Sequence, residues 1–376
     1  MESNTSFLDG FWGCLKPVFN FFGTSSNSSV ENWVYHFESI TDLQFRGAGS
    51  QGAVFSGRLG EQVIAVKKVH KAEDVDIAHL RRLQHPNVIK FIGVCVESPC
   101  FCVLMELCPY GHLFEMIHHS NLELRPENLA DWAMQIAQGM DYLHEIHDII
   151  HRDLKSPNVL IGADHNLKIS DFGHSKAGKQ GQSMQMSFAG TFAWMAPEII
   201  RSEPCSSKVD VWSFGVILWE LLTGKIPYEG VDSTAIIWGV GSEKLCLPLP
   251  MTCPTEMRVL IKRCCMPNAK DRPRFNEILR HLDLANKEFL DNYSGDRFTE
   301  LKASWTKDIA VQFECLRKEG VTVQKLDDHL IKMRRSELKH AQDIRKHYIK
   351  KVKRVDQLYQ ELQMLISQTQ HQHQPL

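Results

Sequence analysis

The chain has 376 residues and a formal net charge of −2, with 43% hydrophobic and 23% charged residues. That suits one large or two ordinary globular domains plus appendages, and the even charge balance gives no footprint for nucleic acid. The 11 cysteines are an odd number with no paired C-x-x-C at zinc spacing, no basic leader with an apolar core opens the chain, and no run of about 18 apolar residues occurs, so a cytoplasmic protein with reduced thiols is expected.

Residues 1–30 are rich in Ser, Asn, Gly and Phe and contain "FLDGFWGCLKPVFNFFG", residues 7–23. Here Cys14 lies among Phe11, Trp12, Val18, Phe19, Phe21 and Phe22. Two readings stand: a membrane-interface segment with Cys14 acylated, or a hydrophobic clasp on the domain that follows, with Cys14 buried. Residues 31–290 have globular texture. "LQFRGAG" and "GAVFSGRL" read as strands around a glycine turn, and "QVIAVKKV" is a β-branched run. "VDIAHLRRL" has helical spacing that "HPN" ends, and "VIKFIGVCV" and "CFCVLMEL" predict two more strands. From Leu129 the pattern turns helical, in "LADWAMQIAQGMDYLHEI" and "DVWSFGVILWELLTG". The expectation is an α+β chain: a small β-rich lobe to about residue 108, then a larger helical lobe.

Residues 299–366 lack proline, contain one glycine and predict helix, and 367–376 form a polar tail. Ala341, Ile344, Tyr348, Val355, Leu358, Leu362 and Leu365 alternate steps of three and four, broken at Lys351, as a coiled-coil seam requires. This predicts a homodimer through the tail; the competing reading is an amphipathic helix folded back on the large lobe. Residues 332–354 hold ten Lys/Arg against two Asp/Glu, which reads as a solvated coiled-coil face rather than a lipid-binding one.

Seven signatures, the "HRDLKSPN" loop and six partners, follow one another in the globular zone. The first is G-x-G-x-x-G-x-V: Gly47, Ala48, Gly49, Ser50, Gln51, Gly52, Ala53 and Val54. Its glycines let backbone amides approach phosphates, and a strand after them favours a hairpin over a dinucleotide-binding turn. Lys67 follows on an apolar strand, where an inward lysine needs an anion. "HRDLKSPN" contains Asp153, Lys155 and Asn158; "DFG" begins at Asp171; "GTFAWMAPE" ends at Glu198; Asp210 opens "DVWSFG" and Arg272 lies in "DRP".

In this order, the motifs of residues 43–284 resemble a eukaryotic protein kinase domain. The resemblance implies a two-lobed kinase fold, ATP as phosphoryl donor and Mg²⁺ as cofactor. Lys67 would contact the α- and β-phosphates, Asn158 and Asp171 would hold Mg²⁺, and Asp153 would accept the proton of the substrate hydroxyl. Lys155 would neutralise the γ-phosphoryl group; with Thr191, it matches serine/threonine kinases. Glu106–Cys108 would be the hinge beside the adenine, with Ala65 lining the pocket and Met105 behind it. Glu198 and Arg272 would pair structurally, and Asp210 would brace the catalytic loop. Asp76 stands where kinases carry the glutamate partner of Lys67, so either Asp76 or Glu73, one turn earlier, takes that place. Ser187 is the expected activating phosphorylation site, pairing with Arg152.

"DLKSPN", "MSFAGTFAWMAPE", "IWGVGS", "LLTGKIPY", "FWGCLKPV" and the basic tail resemble the dual leucine zipper subgroup of mixed-lineage kinases. Its members are mitogen-activated protein kinase kinase kinases. The resemblance implies MAP kinase kinases as protein substrates, upstream of the c-Jun N-terminal kinase and p38 pathways. A pseudokinase scaffold is the alternative.

Overall fold

The computed structural model describes residues 33–49, 52–69, 80–96, 101–120, 124–171, 176–177, 192–293 and 297–316. The first lobe is an antiparallel sheet of β1 (Ile40–Gly49), β2 (Gly52–Leu59), β3 (Gln62–Lys68), β4 (Phe91–Cys95) and β5 (Cys102–Glu106), in the order β1-β2-β3-β5-β4. Strand alternation sorts its side chains. Ile64 and Val66 of β3, with Cys102 and Leu104 of β5, face a core that Ile40 and Cys95 complete. Ala65 and Lys67 take the opposite face, and across the ladder their partners are Met105 and Val103. The strand expected over "VIKFIGVCV" is confined to Phe91–Cys95, and the helix expected over "VDIAHLRRL" lies outside the described residues except at its last turn.

The second lobe contains α1 (Leu113–His118), α2 (Pro126–Asp141), α3 (Pro197–Ile200), α4 (Lys208–Thr223), α5 (Ser233–Gly241), α6 (Thr255–Cys264), α7 (Phe275–Asn292) and α8 (residues 297–316). Two short antiparallel pairs belong to it as well: β6 (Ile149–Ile150) with β9 (Lys176–Ala177), and β7 (Val159–Ile161) with β8 (Leu167–Ile169). Pro126 occupies the first turn of α2, where its missing N–H costs nothing. α4 is apolar almost all round, and Val209 through Thr223 are buried without interruption, as such a helix must be. It stops at Gly224, whose φ of 66° suits glycine, and the Gly224 N–H donates to the Glu220 carbonyl at 2.7 Å. α7 is one-sided: Phe275, Ile278, Leu282, Ala285 and Phe289 are buried at steps of three and four, while Leu284 is exposed.

α8 extends the globular unit past residue 290, where the sequence suggested its edge. Phe298, Trp305, Ile309 and Phe313 are buried in the same core as α4 and α7. Phe298 meets Phe289 and Trp305 edge-on at 5.4 and 6.1 Å, and Phe313 lies 6.1 Å from Trp219 and 6.2 Å from Tyr228. The Trp305 indole N–H donates to Thr252 Oγ1 at 2.8 Å. This first part of the helical region thus folds back on the large lobe; the coiled-coil seam from Ala341 onward lies outside the described residues.

The two lobes are tied through Asn87. Its side-chain amide donates to Gln135 Oε1 and to the Leu167 carbonyl, each at 3.1 Å, and the Ile89 N–H donates to the Ile169 carbonyl at 2.9 Å. The "HPN" run therefore does more than end a helix.

Candidate active site

The glycine run forms the β1–β2 hairpin. Gly49 pairs with Gly52, and Ser50 and Gln51 at the tip lie outside the described residues. Gly52 has φ 123° and lies against the Lys68 carbonyl, which any Cβ would strike. A strand, not a helix, follows. Gly47, Ala48, Ala53 and Val54 continue the same ladder, with Val54 opposite Lys67.

Lys67 Nζ is 2.6 Å from Asp171 Oδ1, joining the third strand to the second residue after β8. Asp76 and Glu73 lie outside the described residues, as do Thr191, Ser187 and Cys14. The Asp171 backbone has φ 71°. A non-glycine residue in this region is strained, and such strain concentrates at functional sites.

The loop from His151 to Asn158 is over-determined by its neighbours. Arg152 also has positive φ, 68°. Asp210, fully buried at the start of α4, accepts the His151 N–H at 2.8 Å, the Arg152 N–H at 2.7 Å and the His144 imidazole at 2.8 Å. Burial alone would raise its pKa; the His144 hydrogen bond and the backbone donors outweigh it and hold the carboxyl below the usual range. His151 reaches the Ser170 carbonyl at 2.8 Å and so aligns the loop with the strand leading to Asp171.

Within this frame the reactive groups converge. Lys155 Nζ is 2.9 Å from Asp153 Oδ2. Asn158 Nδ2 donates to the same Oδ2 at 3.0 Å and to the Asp153 carbonyl at 2.7 Å. The other carboxylate oxygen of Asp153 is buried and accepts no hydrogen bond from a described residue. A buried acceptor without a donor is costly, and an incoming hydroxyl would satisfy it. The recess beside it is lined by Arg152, Leu154, Trp194, Met195, Ile199 and Ser213.

The Asn158 amide nitrogen faces Asp153, and neither the Asn158 amide oxygen nor the second carboxylate oxygen of Asp171 bonds to a described residue, which leaves both as candidate ligands. Among the described residues no three His, Cys, Asp or Glu side chains cluster as a self-sufficient metal cage. One carboxylate plus one amide oxygen, completed by phosphate oxygens, is a donor set that suits Mg²⁺.

The expected hinge, Glu106–Cys108, begins at the last residue of β5. The Glu106 carboxylate accepts the Lys90 N–H at 2.7 Å and lies 3.5 Å from Lys168 Nζ, while the Glu106 N–H donates to the Lys90 carbonyl at 3.0 Å. Burial first, then the Glu106 charge, push the Cys108 thiol up to about 12. Farther away, Arg272 meets Glu198 through two bonds of 2.6 and 2.9 Å and donates to the carbonyls of Met266, Pro267 and Lys208. The bidentate pair is buried, and it ties α3 to the start of α4 and to the loop before α7.

Sequence reasoning missed three residues that meet a buried carboxylate in α4: His118, Ser156 and Trp194, all within hydrogen-bond reach of Glu220. The available signal was an acid inside the apolar run "ILWELL", which must find donors once buried.

The chain is 49% identical over 372 residues to mitogen-activated protein kinase kinase kinase 12 of Rattus norvegicus, covering 98% of this chain and 41% of that protein. It is 48% identical over 372 residues to mitogen-activated protein kinase kinase kinase 13-A of Xenopus laevis, covering 98% and 38%, and 40% identical over 370 residues to mitogen-activated protein kinase kinase kinase dlk-1 of Caenorhabditis briggsae, covering 94% and 42%. The chain thus spans about two fifths of the length of these relatives. Residues 41–282, from the start of β1 to the middle of α7, match the family described as protein tyrosine and serine/threonine kinase, and the chain belongs to that family.

Proposed function

We propose that this chain transfers the γ-phosphoryl group of ATP to serine or threonine hydroxyls of MAP kinase kinases, as a mitogen-activated protein kinase kinase kinase feeding c-Jun N-terminal kinase and p38 signalling. The observation that carries the reading is the Asp153 carboxylate: one oxygen is held by Lys155 and Asn158, the other is buried without a donor among the described residues. Such a group can orient a hydroxyl and take its proton, while Lys155 stays beside it to balance charge on the phosphoryl group. Lys67 and the glycine hairpin would hold the phosphates of ATP, and Glu106–Cys108 the adenine. Asn158 and Asp171 would hold Mg²⁺, which neutralises phosphate charge during transfer. The names of the relatives support the cascade position. A scaffold without phosphoryl transfer would not need Lys67, Asp153, Asn158 and Asp171 together, and all four are present, Lys67 paired with Asp171 and Asn158 bonded to Asp153.

The regulatory part of the reading concerns residues outside the described set. Phosphorylation of Ser187 would pair with Arg152 and order the loop before α3. Dimerisation through the seam from Ala341 to Leu365 would promote phosphorylation in trans by raising local concentration. The protein would be cytoplasmic, and acylation of Cys14 would bring part of it to a membrane surface. The deciding experiment incubates the purified chain with labelled ATP, Mg²⁺ and a catalytically dead MAP kinase kinase, beside a Lys67→Ala control. Label on serine or threonine from the wild type only is the expected result; equal label from both proteins rejects the assignment.

A further inference from the structure

Cys95, the last residue of β4, and Cys102, the first of β5, are partners across the antiparallel ladder. Both are buried in the core of the first lobe, so their side chains leave the sheet on one face, and both thiols are reduced. The Val94 carbonyl accepts the Tyr35 N–H at 2.9 Å and therefore points away from β5, while the Phe101 carbonyl accepts the Val69 N–H at 3.0 Å and points away from β4. Peptide groups alternate in direction along a strand, so Val94–Val103 is a non-hydrogen-bonded pair and Cys95–Cys102 the hydrogen-bonded pair that follows. Cα atoms in such a pair lie about 5.5 Å apart, inside the range that a disulfide spans. Their Cβ atoms stand about 4.5–5.5 Å apart, against about 3.8 Å in a disulfide. A bond between the two sulfurs is within reach, but it pulls the rung in by about 1 Å, and a strained disulfide of this kind is readily reduced again.

β4 is an edge of the sheet, and the pair sits where the hairpin opens into the connection 96–101, so loosening one terminal rung uncovers both sulfurs. Resting on the kinase reading above, we propose that Cys95 and Cys102 are a redox-active pair that hydrogen peroxide closes to a disulfide, weakening the grip on ATP. One thiolate attacks the peroxide O–O bond and becomes a sulfenic acid, releasing one water; the second thiol displaces the sulfenic hydroxyl, forming the S–S bond and releasing another. The two sulfurs give up two electrons and two protons, and one peroxide becomes two waters. The route to the nucleotide is short. Cys102 is also the ladder partner of Lys68 in β3, and the Lys68 carbonyl is the floor on which Gly52 of the glycine hairpin rests, with no room for a Cβ. A rung displaced at Cys102 moves that floor, beside Lys67.

The test treats the full chain with hydrogen peroxide, alkylates the remaining thiols and digests it unreduced with trypsin and a glutamyl endopeptidase. Cleavage after Glu97 and Glu106 puts Cys95 and Cys102 on separate peptides and Cys108 on a third. Residues 91–97 linked to 98–106 are expected, in wild type and in Cys100→Ser, and dithiothreitol should separate them. In wild type, fragmentation assigns the bond to Cys102 or to Cys100, so the result does not depend on a variant folding. KM for ATP of the oxidised protein should rise about three- to tenfold and return with dithiothreitol. Cys95→Val cannot form the bond and should show no such rise, which separates the pair from oxidation at Cys108 or at exposed Cys246 and Cys315. No linked peptide, a bond confined to Cys100, the same rise in Cys95→Val, or a linked protein with unchanged KM for ATP overturns the inference. A wild type that transfers no phosphate, reduced or oxidised, overturns the kinase reading instead, while the linked peptide still decides whether the disulfide forms.

Discussion

Replacing Trp305 by alanine should destabilise the kinase domain strongly, although Trp305 lies beyond the residues matched by the family. The side chain has no solvent exposure, and its ring packs on Phe298. Truncating a buried tryptophan costs about 3–5 kcal/mol. The substitution also strips Thr252 of the indole N–H that it accepts, adding about 1 kcal/mol. For a domain of this size each kcal/mol lowers the melting temperature by roughly 2–4 °C, so a drop of about 8–24 °C follows. Val311, on the same helix but 63% exposed, is the control; Val311→Ala should change stability by no more than about 0.5 kcal/mol. Scanning calorimetry of the full chain reads both. Equal melting temperatures for the two variants would mean that α8 is not part of the folded unit.

Three further outcomes are expected. Asp153→Asn should lower the single-turnover rate about 10²–10⁴-fold with ATP affinity intact, whereas Asp171→Asn, losing the partner of Lys67, should also weaken Mg²⁺-ATP about tenfold or more; equal affinity losses in a nucleotide titration would refute this division. With its pKa at about 12, Cys108 should be roughly 10⁻⁴ thiolate at pH 8, so mass spectrometry after brief iodoacetamide treatment should find exposed Cys246 and Cys315 labelled and Cys108 unlabelled. Asp210 has a depressed folded-state pKa, so its contribution is present above the ordinary carboxylate pKa of about 4 and is lost as pH falls through the lower folded value; acid unfolding of Asp210→Asn should be shallower below pH 4 than that of wild type.

What the sequence made legible was whatever is encoded in short, ordered runs. The glycine run, the strand lysine, "HRDLKSPN" and "DFG" each bring their own spacing, and Lys155, Asp153 and Asn158 meet because they are neighbours in one loop. Contacts between distant residues left no such trace. Asn87 reads as the end of a helix, yet its amide reaches residues 48 and 80 positions away. Trp305 reads as one more position of a solvent-exposed or zipper-forming helix, because nothing local says that Thr252 and Phe298 await it. The fate of Glu220 was half legible: its apolar neighbours predicted burial, but its donors are 26 to 102 residues away in sequence.

α4 explains why so buried a helix carries two acids. Asp210 and Glu220 are ten residues apart, about 15 Å along the axis at 1.5 Å per residue. The loop running from His151 to Asn158 is gripped by Asp210 at its first two amides and by Glu220 at Ser156. Arg152, at positive φ, sits where the first grip is tightest. An apolar pair at these positions would bury the helix as well but leave the loop's amides and the Ser156 hydroxyl to find other acceptors. The helix thus acts as a ruler with a fixed acceptor at each end, and the spacing between Asp153 and the Trp194 turn is set by α4 rather than by the loop's own sequence. Loop composition alone would then be a poor guide to how well the site is assembled, and changes buried in α4 should reach Asp153 without touching it.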